Sequence, residues 1–200
     1  MSGPIEFFFD FSSPYGYFAS CIVDALGERH GRDVVWKPIM IGSAFKASGN
    51  QPLVGQPLKG AYSIRDWERL ARLWQVPYRL PDPFPIATLA PSRITWWLAE
   101  SDPRQAHAYA RAVFHAYFAE GRDVSQLPEA TALAAACGAD AGQAAAVAAD
   151  PAWKQRLREE TDAAIARGVF GSPFLMVDGE PFWGADRLWM VEAWLERGGW

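Results

Sequence analysis

Cysteine and histidine are scarce in this 200-residue sequence, which has only two cysteines and three histidines. Cys21 and Cys137 lie far apart in helical patterns and form no Cys-x-x-Cys pair, so we expect no disulfide framework and a reducing cytoplasm as the compartment. His30, His107 and His115 form neither an HxxxH nor an HExxH pattern, and no metal site is predicted.

Excess positive charge and long apolar runs are also missing. The formal net charge is −4 and the pI is near 5.4, which argues against a nucleic-acid partner. No apolar run approaches the roughly 18 residues that span a bilayer, so no membrane partner is expected. The first four residues, Met-Ser-Gly-Pro, carry no basic region, so we expect no signal peptide.

Hydrophobic residues, by contrast, make up 50% of the chain, and 14% of its residues are aromatic. Such a composition excludes disorder of the whole chain and allows a sizeable core. A length of 200 residues suits one domain, or one domain that carries a large insertion.

The first third of the chain predicts a β-α-β unit. Residues 4–10, Pro-Ile-Glu-Phe-Phe-Phe-Asp, are typical of a strand buried on both faces. The Ser-Pro pair at 13–14 marks the start of a helix that we expect to end at Gly31. Residues 34–36 predict a second, parallel strand. The many glycines and prolines of residues 42–60 predict a long loop of functional importance.

The middle of the chain predicts helices alone. Residues 63–66, Ser-Ile-Arg-Asp, resemble a capping box at the start of the first of them. Asp102, Asp140 and Asp150 have the spacing of helix caps. Gly121 is predicted to end the helix that Asp102 begins, and Gly168 the helix that Asp150 begins. Regular caps favour packed helices over a low-complexity interpretation of the alanine-rich stretches.

The C-terminal part predicts a hairpin and a last helix. Asp178-Gly179 is a strong two-residue turn signal between strands at 174–177 and 180–183, and Pro181 places the second strand at an edge. A helix follows through Leu188.

Taken in order, the elements read β-α-β, helices, then β-β-α, which is the order of a thioredoxin-like α/β fold with a large all-helical insertion between its two halves. We predict that residues 1–60 and 168–200 form a split thioredoxin-like domain. Residues 61–167 are then the helical insertion domain.

Three separated segments converge in such a fold. Ser13 begins the first helix, where backbone N–H groups and the helix dipole favour an anion such as a thiolate. Pro173 precedes a strand and is a candidate cis-proline that would leave the Ser172 backbone free to pair with an extended peptide. Residues 184–187 begin the last helix, where N–H groups and Asp186 suit an amino-acid head group. Each segment also has a plain alternative: an ordinary cap, a trans-proline, and another cap.

The resemblance to a known family is carried by longer motifs. These are Phe-Phe-Phe-Asp-Phe-Ser-Ser-Pro-Tyr at 7–15, Gly-Asn at 49–50, Lys-Gly at 59–60, Gly-Val-Phe-Gly-Ser-Pro at 168–173 and Phe-Trp-Gly-Ala-Asp-Arg-Leu at 182–188. The chain resembles the 2-hydroxychromene-2-carboxylate isomerase family, which is related to kappa-class glutathione transferases and DsbA-like proteins. The resemblance implies glutathione as cofactor, a small aromatic carboxylate as substrate, a homodimer, and a role in the catabolism of naphthalene-like compounds.

The resemblance also implies roles for individual residues. Ser13 is implied as the catalytic residue that stabilises the glutathione thiolate. The implied glutathione contacts are Asn50, Lys59, Ser172, Pro173, Ala185 and Asp186. This chain departs from the family at Ser172, where valine is common, and at Ala185, where Asn, Ser or Gln is usual. A side-chain contact at Ala185 would be missing, whereas a backbone contact would be kept.

Several alternatives remain open from the sequence. A kappa-like transferase that conjugates glutathione to an electrophile needs the same thiolate site as an isomerase. A non-catalytic peptide-binding protein of thioredoxin fold would use the same groove at Pro173. Lys59 could pair with a carboxylate or be an ordinary surface lysine. Four aromatic residues could line a substrate pocket or belong to the core: Trp36, Phe45, Phe84 and Trp183.

Overall fold

A computed structural model describes residues 3–200 and places four strands in one mixed sheet. The strands are β1 (Ile5–Phe9), β2 (Val34–Pro38), β3 (Phe174–Val177) and β4 (Glu180–Trp183). Their order is β2-β1-β3-β4, with β1 parallel to β2 and antiparallel to β3. The predicted thioredoxin-like α/β fold is therefore confirmed, as is the edge position of β4. Met1 and Ser2, which the signal-peptide argument used, lie outside the described residues.

The first helix is shorter than predicted, because the expected single helix to Gly31 is divided into α1 (Pro14–Ser20) and α2 (Val23–Arg29). At the break, the N–H groups of Cys21 and Ile22 donate to carbonyls three residues back, at 3.3 and 3.0 Å. This tight turn ends α1, since φ at Ile22 is −123° and no longer helical.

The prediction of a long loop at residues 42–60 is wrong. Three elements occupy most of it: α3 (Ile41–Ser48), a 3-10 turn (Leu53–Gly55) and the start of α4 (Lys59–Trp74). Gly49 is the left-handed residue after α3, with φ +74°. A Cβ atom on Gly60 would lie 2.6 Å from the Val54 carbonyl oxygen, so this glycine allows a close approach. Ser63 lies inside α4 and is not its cap.

Helices fill the chain between β2 and β3. After α4 come α5 (Leu89–Ser101), α6 (Pro103–Phe118), α7 (Leu127–Ala136), α8 (Ala141–Ala149) and α9 (Pro151–Ala166). The side chains of Asp102, Asp140 and Asp150 accept backbone N–H groups at the starts of α6, α8 and α9, which confirms them as caps. After β4, a 3-10 turn (Ala185–Arg187) leads into α10 (Leu188–Arg197). The division into two domains stays a prediction.

The main core lies between the sheet and the helices. Phe7 and Phe9 point to this side, and the Phe9 ring centroid is 5.4 Å from that of Phe114 on α6. Phe8 points to the opposite face of the sheet, where it belongs to a second cluster with Phe174 of β3 and Ala164 of α9. The first strand is therefore buried on both faces, as predicted. No helix among residues 3–200 is long and apolar enough to cross a membrane.

An ion cluster on Glu6 fastens the sheet to α9. Its carboxylate accepts hydrogen bonds from Lys37 Nζ at 2.7 Å and Arg167 Nη1 at 2.8 Å. Hydrogen bonding from Arg167, and then from Lys37, lowers the pKa of Glu6 from 4.5 to about 2. Because this pKa is depressed on folding, the stabilisation is complete above pH 4.5 and is lost as the pH falls towards 2.

We expect Glu6→Gln to lower the free energy of unfolding by about 2 kcal/mol at pH 7, after allowance for solvent screening. The deficit should shrink as the pH falls from 5 to 3, because the Glu6 carboxylate of the unfolded wild-type chain becomes protonated in this range while that of the folded chain stays ionised. Urea unfolding at several pH values measures this. Glu180→Gln, at an exposed position on β4, is the control and should change stability little. An equal deficit at pH 7 and pH 3 would contradict the assignment.

Candidate active site

The site begins where β1 ends and α1 starts. Ser13 has extended backbone angles, φ −94° and ψ 114°, and its Oγ accepts the N–H of Gly16 at 3.0 Å. Pro14 occupies the first helical position, where its missing N–H costs no helical hydrogen bond. Ser13 is therefore the N-cap of α1, as predicted, with the positive end of the helix dipole beside it.

The second segment, Ser172–Pro173, lies directly against the turn from β1 to α1. We call this turn, with Ser13, Pro14 and Gly16, the corner. The Ser172–Pro173 peptide bond is cis, which confirms the candidate cis-proline. Ser13 Oγ donates to the Ser172 carbonyl at 2.8 Å, although the two residues are 159 positions apart. The Ser172 N–H donates to no acceptor among residues 3–200. An unpaired N–H next to a carbonyl that accepts only a side-chain hydroxyl is an arrangement that an extended peptide backbone can pair with.

Gly16 keeps the corner open. A Cβ atom placed there would lie 3.0 Å from Ser172 Oγ and 3.4 Å from Ser13 Oγ. A larger residue would therefore displace one of the two hydroxyl groups. Neither Ser13 nor Gly16 carries a thiol, so this corner cannot form a disulfide from its own side chains.

The third segment packs against α1. The Gly184 N–H donates to the Pro173 carbonyl at 3.1 Å, and φ at Gly184 is +104°. Ala185 is buried, whereas the Asp186 side chain is 67% exposed and pairs with Arg187 at 2.5 Å. The predicted helix start is thus a 3-10 turn, which places the exposed Asp186 carboxylate beside the corner.

Asn50 follows α3, and Lys59 begins α4. Both are exposed, and their side chains make no hydrogen bond within the described part of the chain. Tyr15 on α1 contacts α4, since its hydroxyl donates to Asp66 Oδ2 at 2.9 Å, and Trp67 of α4 is buried in the main core. Burial, and then Asp66, raise the pKa of Tyr15, so this hydroxyl remains a donor at neutral pH. The roles of Asn50 and Lys59 stay predictions.

Asp10 is a residue of the site that the sequence analysis gave no role. It is 5% exposed, and its Oδ1 accepts from Ser12 N–H at 2.8 Å, Ser12 Oγ at 2.7 Å and Thr88 Oγ1 at 3.0 Å. Its Oδ2 accepts from the Ile41 N–H at 2.9 Å, and its own N–H donates to Ser172 Oγ at 2.9 Å. One buried carboxylate therefore joins β1, α1, α3 and α5 around the corner. The sequence did contain a signal for this role: Asp10 directly follows a buried strand and precedes Ser12 by two residues, the spacing at which an aspartate side chain bonds its own backbone.

The four aromatic candidates have different environments. Trp36 is 3% exposed and donates to Asp24, so it belongs to the core and not to a pocket. Phe45 and Phe84 are half-buried. Trp183 is 53% exposed, and its ring centroid is 4.9 Å from that of Phe170. That Phe45, Phe84 and Trp183 line a substrate pocket stays a prediction.

One group with the chemistry of metal ligands occurs within residues 3–200, away from the Ser13 corner. His30, Glu192 and Glu196 bring one possible ligand atom each within 4.8 Å of one another. The Arg29 guanidinium, however, already donates to Glu192 at 2.7 Å. Because a cation already occupies this carboxylate, we assign no metal site to the group.

The chain is similar to known proteins over nearly its whole length. The chain matches the family described as the DSBA-like thioredoxin domain over residues 4–196. It is 32% identical to 2-hydroxychromene-2-carboxylate isomerase of Sphingobium xenophagum, over 98% of this chain and 99% of that protein. It is 26% identical to glutathione S-transferase kappa 1 of Homo sapiens, over 96% and 92% of the two chains. A solved 2-hydroxychromene-2-carboxylate isomerase superposes with a TM-score of 0.86 at 28% identity, covering 96% of this chain and 94% of that one.

Proposed function

Because this chain belongs to the 2-hydroxychromene-2-carboxylate isomerase family of DsbA-like thioredoxin-domain enzymes, we propose that it isomerises an aromatic carboxylate of this type with glutathione as cofactor. The observation that carries the proposal is the corner itself. Ser13 Oγ lies at a helix N-terminus, 2.8 Å from the carbonyl that precedes a cis-proline, and the corner has no thiol of its own. A site of this kind suits a thiol that arrives with a cofactor.

The residues present fit glutathione, because the unpaired Ser172 N–H and the adjacent carbonyl offer one donor and one acceptor to its cysteinyl backbone. The Ser172 carbonyl now accepts from Ser13 Oγ. Once this carbonyl accepts a cysteinyl N–H instead, the Ser13 hydroxyl is released to donate to the sulfur. In this way, Ser13 exchanges an internal hydrogen bond for one to the thiolate.

The other cofactor contacts follow from charge and position. The backbone N–H groups of the turn at Ala185 suit the γ-glutamyl carboxylate, and the exposed Asp186 carboxylate suits the ammonium group. We assign Asn50 and Lys59 to the glycyl end, where Lys59 would pair with the second carboxylate. A backbone contact at Ala185 is unaffected by the absence of a polar side chain there.

When bound, glutathione supplies a thiolate that adds reversibly to the conjugated, ring-opened substrate, so that a double bond becomes a rotatable single bond before elimination. Ser13 and the N-terminal N–H groups of α1 hold the negative charge on the sulfur. The bound thiol loses its proton to solvent. The reaction is the proposed step in the catabolism of naphthalene-like aromatic compounds.

The isomerisation of 2-hydroxychromene-2-carboxylate, followed by ultraviolet absorbance with and without glutathione, tests the proposal. We expect turnover that requires glutathione and leaves the glutathione concentration unchanged. The second candidate, a kappa-like transferase, is supported by the similarity to glutathione S-transferase kappa 1. Consumption of glutathione with a neutral electrophile, without isomerisation, would favour it. Inactivity in both assays, together with capture of extended peptides, would favour a peptide-binding protein.

We further propose a cytoplasmic location and a homodimer. The free thiols of Cys21 and Cys137 support a reducing compartment. Two large exposed apolar residues near the C-terminus, Trp189 (65% exposed) and Trp200 (63% exposed), support a contact between two copies. Size-exclusion chromatography with light scattering should give twice the mass of one chain, and a monomer at high micromolar concentration would contradict the dimer.

Replacing Ser13 by cysteine should not create an efficient disulfide oxidoreductase. Gly16 provides no resolving thiol, and Cys21 lies at the opposite end of α1, about 12 Å along the helix, beyond the roughly 7 Å Cα separation that a disulfide can bridge. With oxidised glutathione, we expect the Ser13→Cys variant to stop at one mixed disulfide per chain, which intact mass spectrometry detects. Multiple-turnover insulin reduction, or a bond to Cys21, would contradict this geometry.

A further inference from the structure

The Ser172 side chain has a hydroxyl proton without an acceptor. Its Oγ accepts the Asp10 N–H at 2.9 Å, which fixes the oxygen at the corner. Among residues 3–200, no atom accepts a hydrogen bond from this hydroxyl. Since a serine hydroxyl carries one donor and two acceptor sites, Ser172 retains a donor that can serve a ligand.

The position of this hydroxyl relates it to the Ser13 hydroxyl. Both oxygens lie close to the same point above Gly16, since a Cβ atom built there would be 3.0 Å from Ser172 Oγ and 3.4 Å from Ser13 Oγ. The two hydroxyl oxygens therefore lie near each other at the positive end of α1, close enough for one sulfur atom to contact both. A valine at position 172 would leave only the Ser13 hydroxyl there.

We propose that Ser172 Oγ donates a second hydrogen bond to the glutathione sulfur, beside the one from Ser13. This inference rests on the proposed use of glutathione and assigns to the Ser172 side chain a role beyond its backbone. A hydrogen bond to the charged form of a group favours that form. Two hydroxyl donors instead of one therefore make the bound thiol more acidic, and a larger fraction of it is thiolate at neutral pH.

Other charged and titratable groups surround the corner. Asp10 lies behind Ser172, Tyr15 is on α1 with its hydroxyl bound to Asp66, and Asp186 pairs with Arg187 on the adjacent turn. A test of Ser172 must separate the effect on the sulfur from any effect on these groups. Threonine and valine are used as a pair, because they have nearly the same shape and differ in a hydroxyl against a methyl group. Valine also removes the acceptor of the Asp10 N–H, so the unfolding free energy of each variant is measured beside its thiol pKa.

The experiment is a pH titration of the thiolate ultraviolet absorbance of bound glutathione in the wild type, Ser172→Thr and Ser172→Val. We expect the valine variant to raise the pKa of the bound thiol by about one unit and the threonine variant to stay close to the wild type. Ser20→Ala is a matched control, because the Ser20 hydroxyl donates to the Tyr17 carbonyl on the same helix and should not affect the thiol.

The outcomes separate this inference from the proposed function. Saturable glutathione binding with the same thiol pKa in the threonine and valine variants would overturn the role of Ser172 while leaving the cofactor intact. Failure of the wild type to bind glutathione would overturn both proposals. If Ser172→Val binds glutathione too weakly for titration, Ser172→Ala replaces it, and the same rise in pKa relative to threonine is expected.

Discussion

Alanine at position 13 should leave a folded protein whose glutathione-dependent rate is about 10- to 100-fold lower. Loss of one donor to a developing oxyanion typically costs 10²- to 10³-fold, and a thiolate is a softer acceptor than an alkoxide. In the wild type, Ser13 Oγ is anchored by the Gly16 N–H at 3.0 Å, so its proton can turn from the Ser172 carbonyl to the sulfur without moving the oxygen. Steady-state kinetics at saturating glutathione measures the effect.

The same substitution removes a helix cap, which lowers the free energy of unfolding by about 1 kcal/mol. Asp102→Ala is the matched control, because Asp102 caps α6 through the N–H groups of Arg104 and Gln105 and lies outside the corner. The control should lose similar stability and keep its activity. Activity of Ser13→Ala within twofold of the wild type would contradict the role assigned to Ser13.

Asparagine at position 10 should lower the free energy of unfolding by about 3 kcal/mol and reduce activity as well. Both carboxylate oxygens of Asp10 accept backbone N–H groups, Oδ1 from Ser12 and Oδ2 from Ile41. An asparagine amide group must direct its own donor at one of these N–H groups, whichever way it is rotated. Losing the bond to the Ser12 or the Ile41 N–H should make the position of residue 10 less fixed. The corner then becomes less rigid, because the N–H of residue 10 also donates to Ser172 Oγ.

Chemical denaturation of Asp10→Asn, compared with Asp33→Asn, tests this role. Asp33 is exposed, and its side chain makes no hydrogen bond within residues 3–200, so its variant should change stability by less than about 0.5 kcal/mol. Equal stability of the two variants would show that the Asp10 carboxylate does not organise the corner.

Local signals were sufficient where one short segment determines its own structure. The cap at Asp102 needs only the N–H groups of the next turn, and the Asp178-Gly179 turn needs only φ values of +52° and +92°. The helix start at Ser13 is of the same kind. Such features do not depend on distant residues, which is why the sequence indicated them correctly.

The prediction from local sequence failed where a glycine can either belong to a loop or serve a helix. In residues 42–60, glycine and proline suggested a loop, whereas Gly49 ends α3 and Gly60 allows α4 to contact Val54. Only the contact of Asp10 with Ser12 was predictable locally, because its other partners, Ile41 and Thr88, lie at the starts of helices whose positions depend on tertiary packing. The meeting of Ser13 with Ser172 was predictable only through topology, since the pairing of β1 with β3 brings them together.

Isothermal titration of glutathione into the protein, repeated near pH 7 in buffers of different ionisation enthalpy, tests the central claim that this corner binds and ionises a thiol. The number of protons released follows from the buffer dependence of the heat. We expect saturable binding, one tripeptide per chain, with release of up to about one proton, because a free thiol has a pKa of about 8.5 and is mostly protonated at this pH. The absence of binding at millimolar glutathione, or binding without proton release, would contradict it.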